Sequence, residues 1–100
     1  MTCWFVSRHA GAVEWARSHL ITADRWVDHL DTTQVAAGDR VMGTLSMEAA
    51  AEVCARGARF FALTMTIAPA QRGLELNSSD LNRLHCSLRE FAVQALDKEK

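Results

Sequence analysis

One hundred residues, 49% hydrophobic and 23% charged, make a single globular domain with a core large enough to fold without disulfide or metal staples. A formal net charge of -1 leaves no general basic coat, which excludes long nucleic acid as a partner, so an anionic ligand must be held by a local cluster. Cys3, Cys54 and Cys86 are odd in number, widely spaced and form no CxxC or zinc pattern. With no stretch of signal-peptide or membrane length, this predicts reduced thiols in a cytoplasmic protein that does not engage membranes.

Cys3-Trp4-Phe5-Val6 is apolar, aromatic and β-branched, the pattern of a short strand buried on both faces. Ser7-Arg8-His9 breaks that run with three hydrogen-bonding side chains. After Ala10-Gly11, the spacing of Val13, Ala16 and Leu20 predicts a helix over Ala10 to Leu20, with Glu14, Arg17 and Ser18 toward solvent. Arg25 to Leu30 reads as a second strand, less apolar than the first and therefore nearer an edge. Asp31-Thr32-Thr33 caps a single helical turn through Gln34-Val35, and Gly38-Asp39 signals a turn.

Arg40 to Leu45 is the third predicted strand, and its Gly43 marks close approach by another backbone or by a ligand. Ser46 is an N-cap for a helix whose apolar face is Met47, Ala50, Ala51 and Cys54 and whose stop is Gly57. Arg59 to Thr66 forms a fourth strand ended by Pro69, with a loop carrying Arg72-Gly73 beyond it. Asn77-Ser78-Ser79-Asp80 looks like the cap of a final helix with a stripe of Leu81, Leu84, Leu88, Phe91, Ala92 and Ala95.

Strands alternating with helices predict an α/β domain over residues 1–100, a small Rossmann-like three-layer fold with a mainly parallel sheet of about four strands and flanking helices. Only nine residues separate Leu30 from Arg40, few for a full crossover, so the second strand's place in the sheet stays open.

In such a sheet ligands bind beyond the carboxyl ends of the strands, where strand order reverses. Three loops are expected there: Ser7, Arg8, His9 and Gly11; Gly43, Thr44 and Ser46; and Pro69, Arg72 and Gly73. Arginines, a histidine, hydroxyls and two helix N-termini would converge as a phosphodiester site. His19, His29 and His85 fall within predicted elements and read as structural. His29-Leu30-Asp31 could give two metal ligands but has no evident third, so no metal and no cofactor is expected. Trp4, Trp15 and Trp26 could stack on bases, but their apolar flanks favour core or dimer packing.

The segments WFVSRHAGAVEWA, HLD, GDRVMGTL, AAEVCARGARFFAL and RGLEL, in collinear order over nearly the whole chain, resemble the small CRISPR-associated Csx-sixteen family. The departures are Met42 and Ser46-Met47, where that family commonly carries Ile and Pro-Val. The resemblance implies a ring nuclease of type III CRISPR systems with a CARF-like fold. Such a protein degrades cyclic oligoadenylate, chiefly cyclic tetra-adenylate, and so switches off the effectors that this messenger activates. The residues suit that chemistry. The ribose 2′-hydroxyl can serve as internal nucleophile, so the protein need only hold an in-line geometry and stabilise charge. His9 would be the general acid or base, because imidazole titrates near neutrality. Arg8 would neutralise the phosphorane, Ser7 and the Gly11 backbone would position the phosphate, and Gly43, Thr44, Ser46 and Arg72 would hold other phosphates or the ribose. A ring of four nucleotides contains a two-fold axis, which points to a C2 homodimer.

Three other readings fit the same residues. A sensor or sponge would bind the messenger without cutting it. A histidine phosphatase would use His9 as the phosphate-accepting nucleophile, although its usual Arg-His-Gly is here Arg8-His9-Ala10. A structural CRISPR subunit would bind no ligand, which the convergent polar loops disfavour.

Overall fold

The computed structural model describes residues 1–64 and 86–96. Among these, the elements follow as β1 (Cys3–Val6), α1 (Ala10–Ser18), β2 (Arg25–Val27), a 3₁₀ turn (Thr32–Gln34), β3 (Arg40–Gly43), α2 (Met47–Ala55), β4 (Arg59–Thr64) and β5 (Ser87–Phe91). They build one five-stranded sheet in the order β2-β1-β3-β4-β5. The first four strands are parallel and β5 runs antiparallel to β4. This is a small α/β domain of Rossmann-like form.

β1 is buried on both faces because its residues alternate between two cores. Phe5 packs with Ala12, Trp15 and Ala16 of α1 and with Met42 of β3. Trp4 and Val6 pack on the other face with Val41, Ala50, Val53 and Phe60, beneath α2. One helix on each face gives the three layers. β2 lies at the edge, as its weaker apolar pattern predicts. Its return to β3 needs no full helix: the chain crosses β1 through the 3₁₀ turn, and Leu30 and Val35 pack into the α2-side core on the way. Asp31 caps that turn, and the Thr33 hydroxyl and N–H hold its carboxyl below the ordinary carboxylate range.

Several elements depart from the sequence expectation. Residues 87–91 are a strand, not the end of a helix, which raises the strand count from about four to five. The leucine spacing suits a helix, but Cys86 and Leu88 also alternate, and both pack against the α1-side core. The open edge of β4 supplies a ladder that a helix could not use. A bidentate ion pair, Arg59 to Glu90 at 2.7 and 2.9 Å, reinforces the pairing from the exposed face and lowers the Glu90 carboxyl. Burial pushes the Cys86 thiol up to about 11. The cap at 77–80, Pro69 and Arg72-Gly73 lie outside the described residues.

Helix faces also shift. In α2 the buried residues are Ala50, Ala51 and Val53, while Met47 points to solvent. Leu20 does not belong to the α1 stripe: it follows the helix with φ 59° and stands exposed. Trp15 takes the core position instead.

The amino edge of the sheet is locked by Asp39, which is 3% exposed. Its carboxylate accepts hydrogen bonds from Thr2 N at 2.9 Å, Ala36 N at 3.0 Å and Trp4 Nε1 at 3.3 Å. The Ala36 and Thr2 N–H groups hold this carboxyl below its ordinary value against the cost of desolvation. A folded value below the unfolded one means that the stabilisation is complete above about pH 5 and is lost as the pH falls through the folded value. Asp39→Asn turns an amide donor toward a cluster of donors and should cost about 1–3 kcal/mol at pH 7. Urea denaturation at pH 7 and pH 3 should show the gap between wild type and variant narrowing in acid.

Candidate functional site

The strand order reverses between β1 and β3: the chain leaves β1 for β2 on one side, and β3 pairs on the other. At the carboxyl ends of these three strands lies a cleft of about 310 Å³. Its walls are Ser7, Arg8 and His9 after β1, Asp28, His29 and Leu30 after β2, and Thr44, Leu45 and Ser46 after β3.

Backbone hydrogen bonds fix the three exits. Ser7 N donates to Val27 O at 3.0 Å, and Thr44 N donates to Val6 O at 3.0 Å. Ser7 is buried, and its Oγ accepts from His9 N at 3.1 Å, which leaves the hydroxyl proton to be donated elsewhere. His9 caps α1 through its backbone: its carbonyl accepts from Ala12 N and Val13 N, while its imidazole makes no capping bond. Arg8 and His9 are exposed at the cleft, and Arg8 has no ion pair among the described residues.

The two helix N-termini at this edge differ. α2 is closed, because Ser46 Oγ accepts from Ala49 N at 3.1 Å and Glu48 sits in its first turn. α1 has neither a side-chain cap nor an acidic residue in its first turn, so its positive end is uncompensated, and the residue that precedes it, His9, lines the cleft. Ser46 is a cap that also lines the cleft.

Of the residues expected at the site, the fold brings together Ser7, Arg8, His9, Thr44 and Ser46. Gly11 is buried within the first turn of α1. Gly43 is buried beneath the cleft with φ 118°, and a Cβ there would stand 2.1 Å from Val6 O. The glycine therefore serves close approach of another backbone, one of the two roles that its position in the sequence allows. Arg72 lies outside the described residues.

Sequence reasoning missed Asp28 and His29, which it assigned to the second strand. β2 ends at Val27, so both residues fall in the loop and line the cleft. The available signal was the one read correctly after β1, an apolar run broken by consecutive polar side chains. His19 is structural: its ring stacks on Trp15 at 4.6 Å, and Nδ1 lies 2.8 Å from Trp15 O. Among the described residues no three His, Cys, Asp or Glu side chains gather closely enough to hold a metal ion.

The family model described as "Putative CRISPR-associated protein (Cas_VVA1548)" matches residues 4–94. No curated protein and no solved structure matches the chain.

Gly43→Ala should destabilise the fold by about 3 kcal/mol or more, because the new methyl group meets backbone rather than a movable side chain. Gly38→Ala is the control: it also has positive φ (86°), but nothing stands within 4 Å of its Cβ position. It should cost only about 1–2 kcal/mol. Chemical denaturation midpoints of the two variants measure the difference.

Proposed function

Because the chain belongs to the CRISPR-associated family Cas_VVA1548, whose model spans nearly all of it, we propose that it is a ring nuclease of type III CRISPR signalling. It binds cyclic oligoadenylate, chiefly cyclic tetra-adenylate, and opens the ring to switch the signal off. The observation that carries this reading is the meeting of Ser7, Arg8 and His9 in one polar cleft at the point where strand order reverses, beside the start of a helix with no side-chain cap and no acidic residue in its first turn. The resemblance to the Csx-sixteen family over nearly the whole sequence supports it, and with it a CARF-like kinship of the fold.

The reaction asks little covalent chemistry of the protein. The ribose 2′-oxygen attacks the adjacent phosphorus, the bond from phosphorus to O5′ breaks, and the products are a 2′,3′-cyclic phosphate and a free 5′-hydroxyl. Arg8 and the α1 N-terminus neutralise the phosphorane oxygens. The Ser7 hydroxyl and the Gly11 backbone N–H orient the same phosphate, and His9 transfers a proton. Thr44 and Ser46 hold a neighbouring phosphate or ribose, a role that Arg72 shares. Gly43 contributes by shaping the floor beneath them. No metal or other cofactor enters this scheme.

A cleft of about 310 Å³ is at the low end for a ligand pocket and small for a ring of four nucleotides. Two copies of the cleft facing one ring across its two-fold axis match the ring's symmetry, so the active form is a C2 homodimer. The protein acts in the cytoplasm, where the messenger is made. A sensor or sponge would use the same cationic groups but would not need an imidazole at His9.

Incubation with cyclic tetra-adenylate in EDTA, resolved by chromatography with mass detection, should yield linear products that end in a cyclic phosphate. Arg8→Ala should lower turnover by ~10²–10³-fold and His9→Ala by ~10²–10⁴-fold. Intact ring recovered in a tight complex would favour the sponge, and a trapped phosphohistidine would favour the phosphatase.

A further inference from the structure

Two imidazoles share the cleft. Val6 and Val27 are register partners at the last rung of the β1–β2 ladder, so the segments that follow them leave the sheet side by side. One carries His9 and the other carries His29, and both line the same cleft. Both residues are exposed, and neither ring is tied to a protein hydrogen bond among the described residues. His19, whose ring is stacked and bonded to Trp15, shows what a structural histidine looks like in this fold.

We propose that His29 is the second acid–base catalyst of the phosphodiester cleavage, acting on the opposite side of the phosphate from His9. The inference rests on the ring-nuclease reading given above. Two protons must move in that reaction. One leaves the 2′-hydroxyl as the bond from O2′ to phosphorus forms, and one reaches O5′ as the bond from phosphorus to O5′ breaks. In-line displacement sets these two oxygens on opposite sides of the phosphorus, so one imidazole cannot serve both at once. Imidazoles on two adjacent loops can flank the phosphate, with Arg8 and the α1 N-terminus left for its remaining oxygens. The base takes one proton and the acid gives one, so protons balance across the step. Exchange with water then resets the pair without a further reactant.

Among the described residues, few other charged groups line the cleft with these rings. Arg8 and His9 come from the loop after β1, and Asp28 comes from the loop of His29 itself. The wall formed by Thr44, Leu45, Ser46 and Ala49 carries no titratable group. Two limbs in a pH profile of kcat would therefore be assigned by removing one histidine at a time.

The test uses purified protein and cyclic tetra-adenylate, with His29→Ala, His29→Gln and His9→Ala compared with wild type. His29 is exposed, and unchanged denaturation midpoints would establish that the variants fold. The expected result is a kcat lowered by ~10²–10⁴-fold in His29→Ala, with the dissociation constant for the ring little changed. One limb of the bell-shaped profile should vanish in each histidine variant, and added imidazole should restore part of the rate to His29→Ala. If wild type cleaves and His29→Ala keeps its kcat and both limbs, the inference fails while the ring-nuclease reading stands. Loss of binding alone, with kcat and both limbs preserved, overturns it equally and makes His29 a ligand contact. If wild type leaves the ring intact, the ring-nuclease reading itself fails.

Discussion

The cleft depends on one backbone contact, the approach of β3 to β1 at the Val6–Gly43 rung. The Val6 carbonyl occupies the space that any Cβ at position 43 would need, and it accepts the Thr44 N–H at 3.0 Å. That contact brings the loops after β1 and β3 together where the strand order reverses. On the other flank, the bond from Ser7 N to Val27 O extends the ladder to β2 by one rung and brings the third loop alongside. Main-chain geometry thus sets the width of the cleft, and the side chains above it are free to be polar. Rigid elements beneath and exposed side chains above are what a binding or catalytic constellation requires.

The two ends of the sheet divide the work. At the amino edge a buried carboxylate, Asp39, gathers N–H donors from the chain start, the turn before β3 and the Trp4 indole, and all of its contacts are internal. At the carboxyl edge Arg8 makes no ion pair and the His9 and His29 rings no hydrogen bond among the described residues. Even the helices follow this division: α2 is capped by Ser46 and carries Glu48 in its first turn, whereas α1 has no side-chain cap and no acidic residue there. A stability-driven design would cap both. Leaving α1 without a side-chain cap forgoes about 1 kcal/mol and leaves open the N–H groups that the proposed phosphate site would use.

Much of this was legible in the sequence because local rules decided it. The CWFV run, the Ser46 cap, the stop at Gly57 and the cap at Asp31 are short-range signals, and each is found as a strand, helix end or turn in the structure. Gly57 N–H and Ala58 N–H close α2 on the carbonyls of Cys54 and Val53, which is the turn that a terminal glycine permits. Errors arose where a distant partner decided. β5 exists because β4 offers an open edge, a fact absent from residues 81–95 themselves, whose leucine spacing suits a helix. His29 was hidden because β2 stops after three residues, and only its pairing with β1 sets that limit. Gly43 announced a close approach, but only the fold identifies the neighbour as Val6 rather than a ligand.

On the proposed function, the ligand sits in the cleft between the exits of β1, β2 and β3. Titration of isotopically labelled protein with cyclic tetra-adenylate, followed by amide chemical shifts, tests it most directly. The largest perturbations should fall on Ser7 to Gly11, Asp28 to Leu30 and Thr44 to Ser46, with the amino edge around Asp39 unmoved. Saturable shifts concentrated elsewhere, or none at millimolar ring, would contradict it.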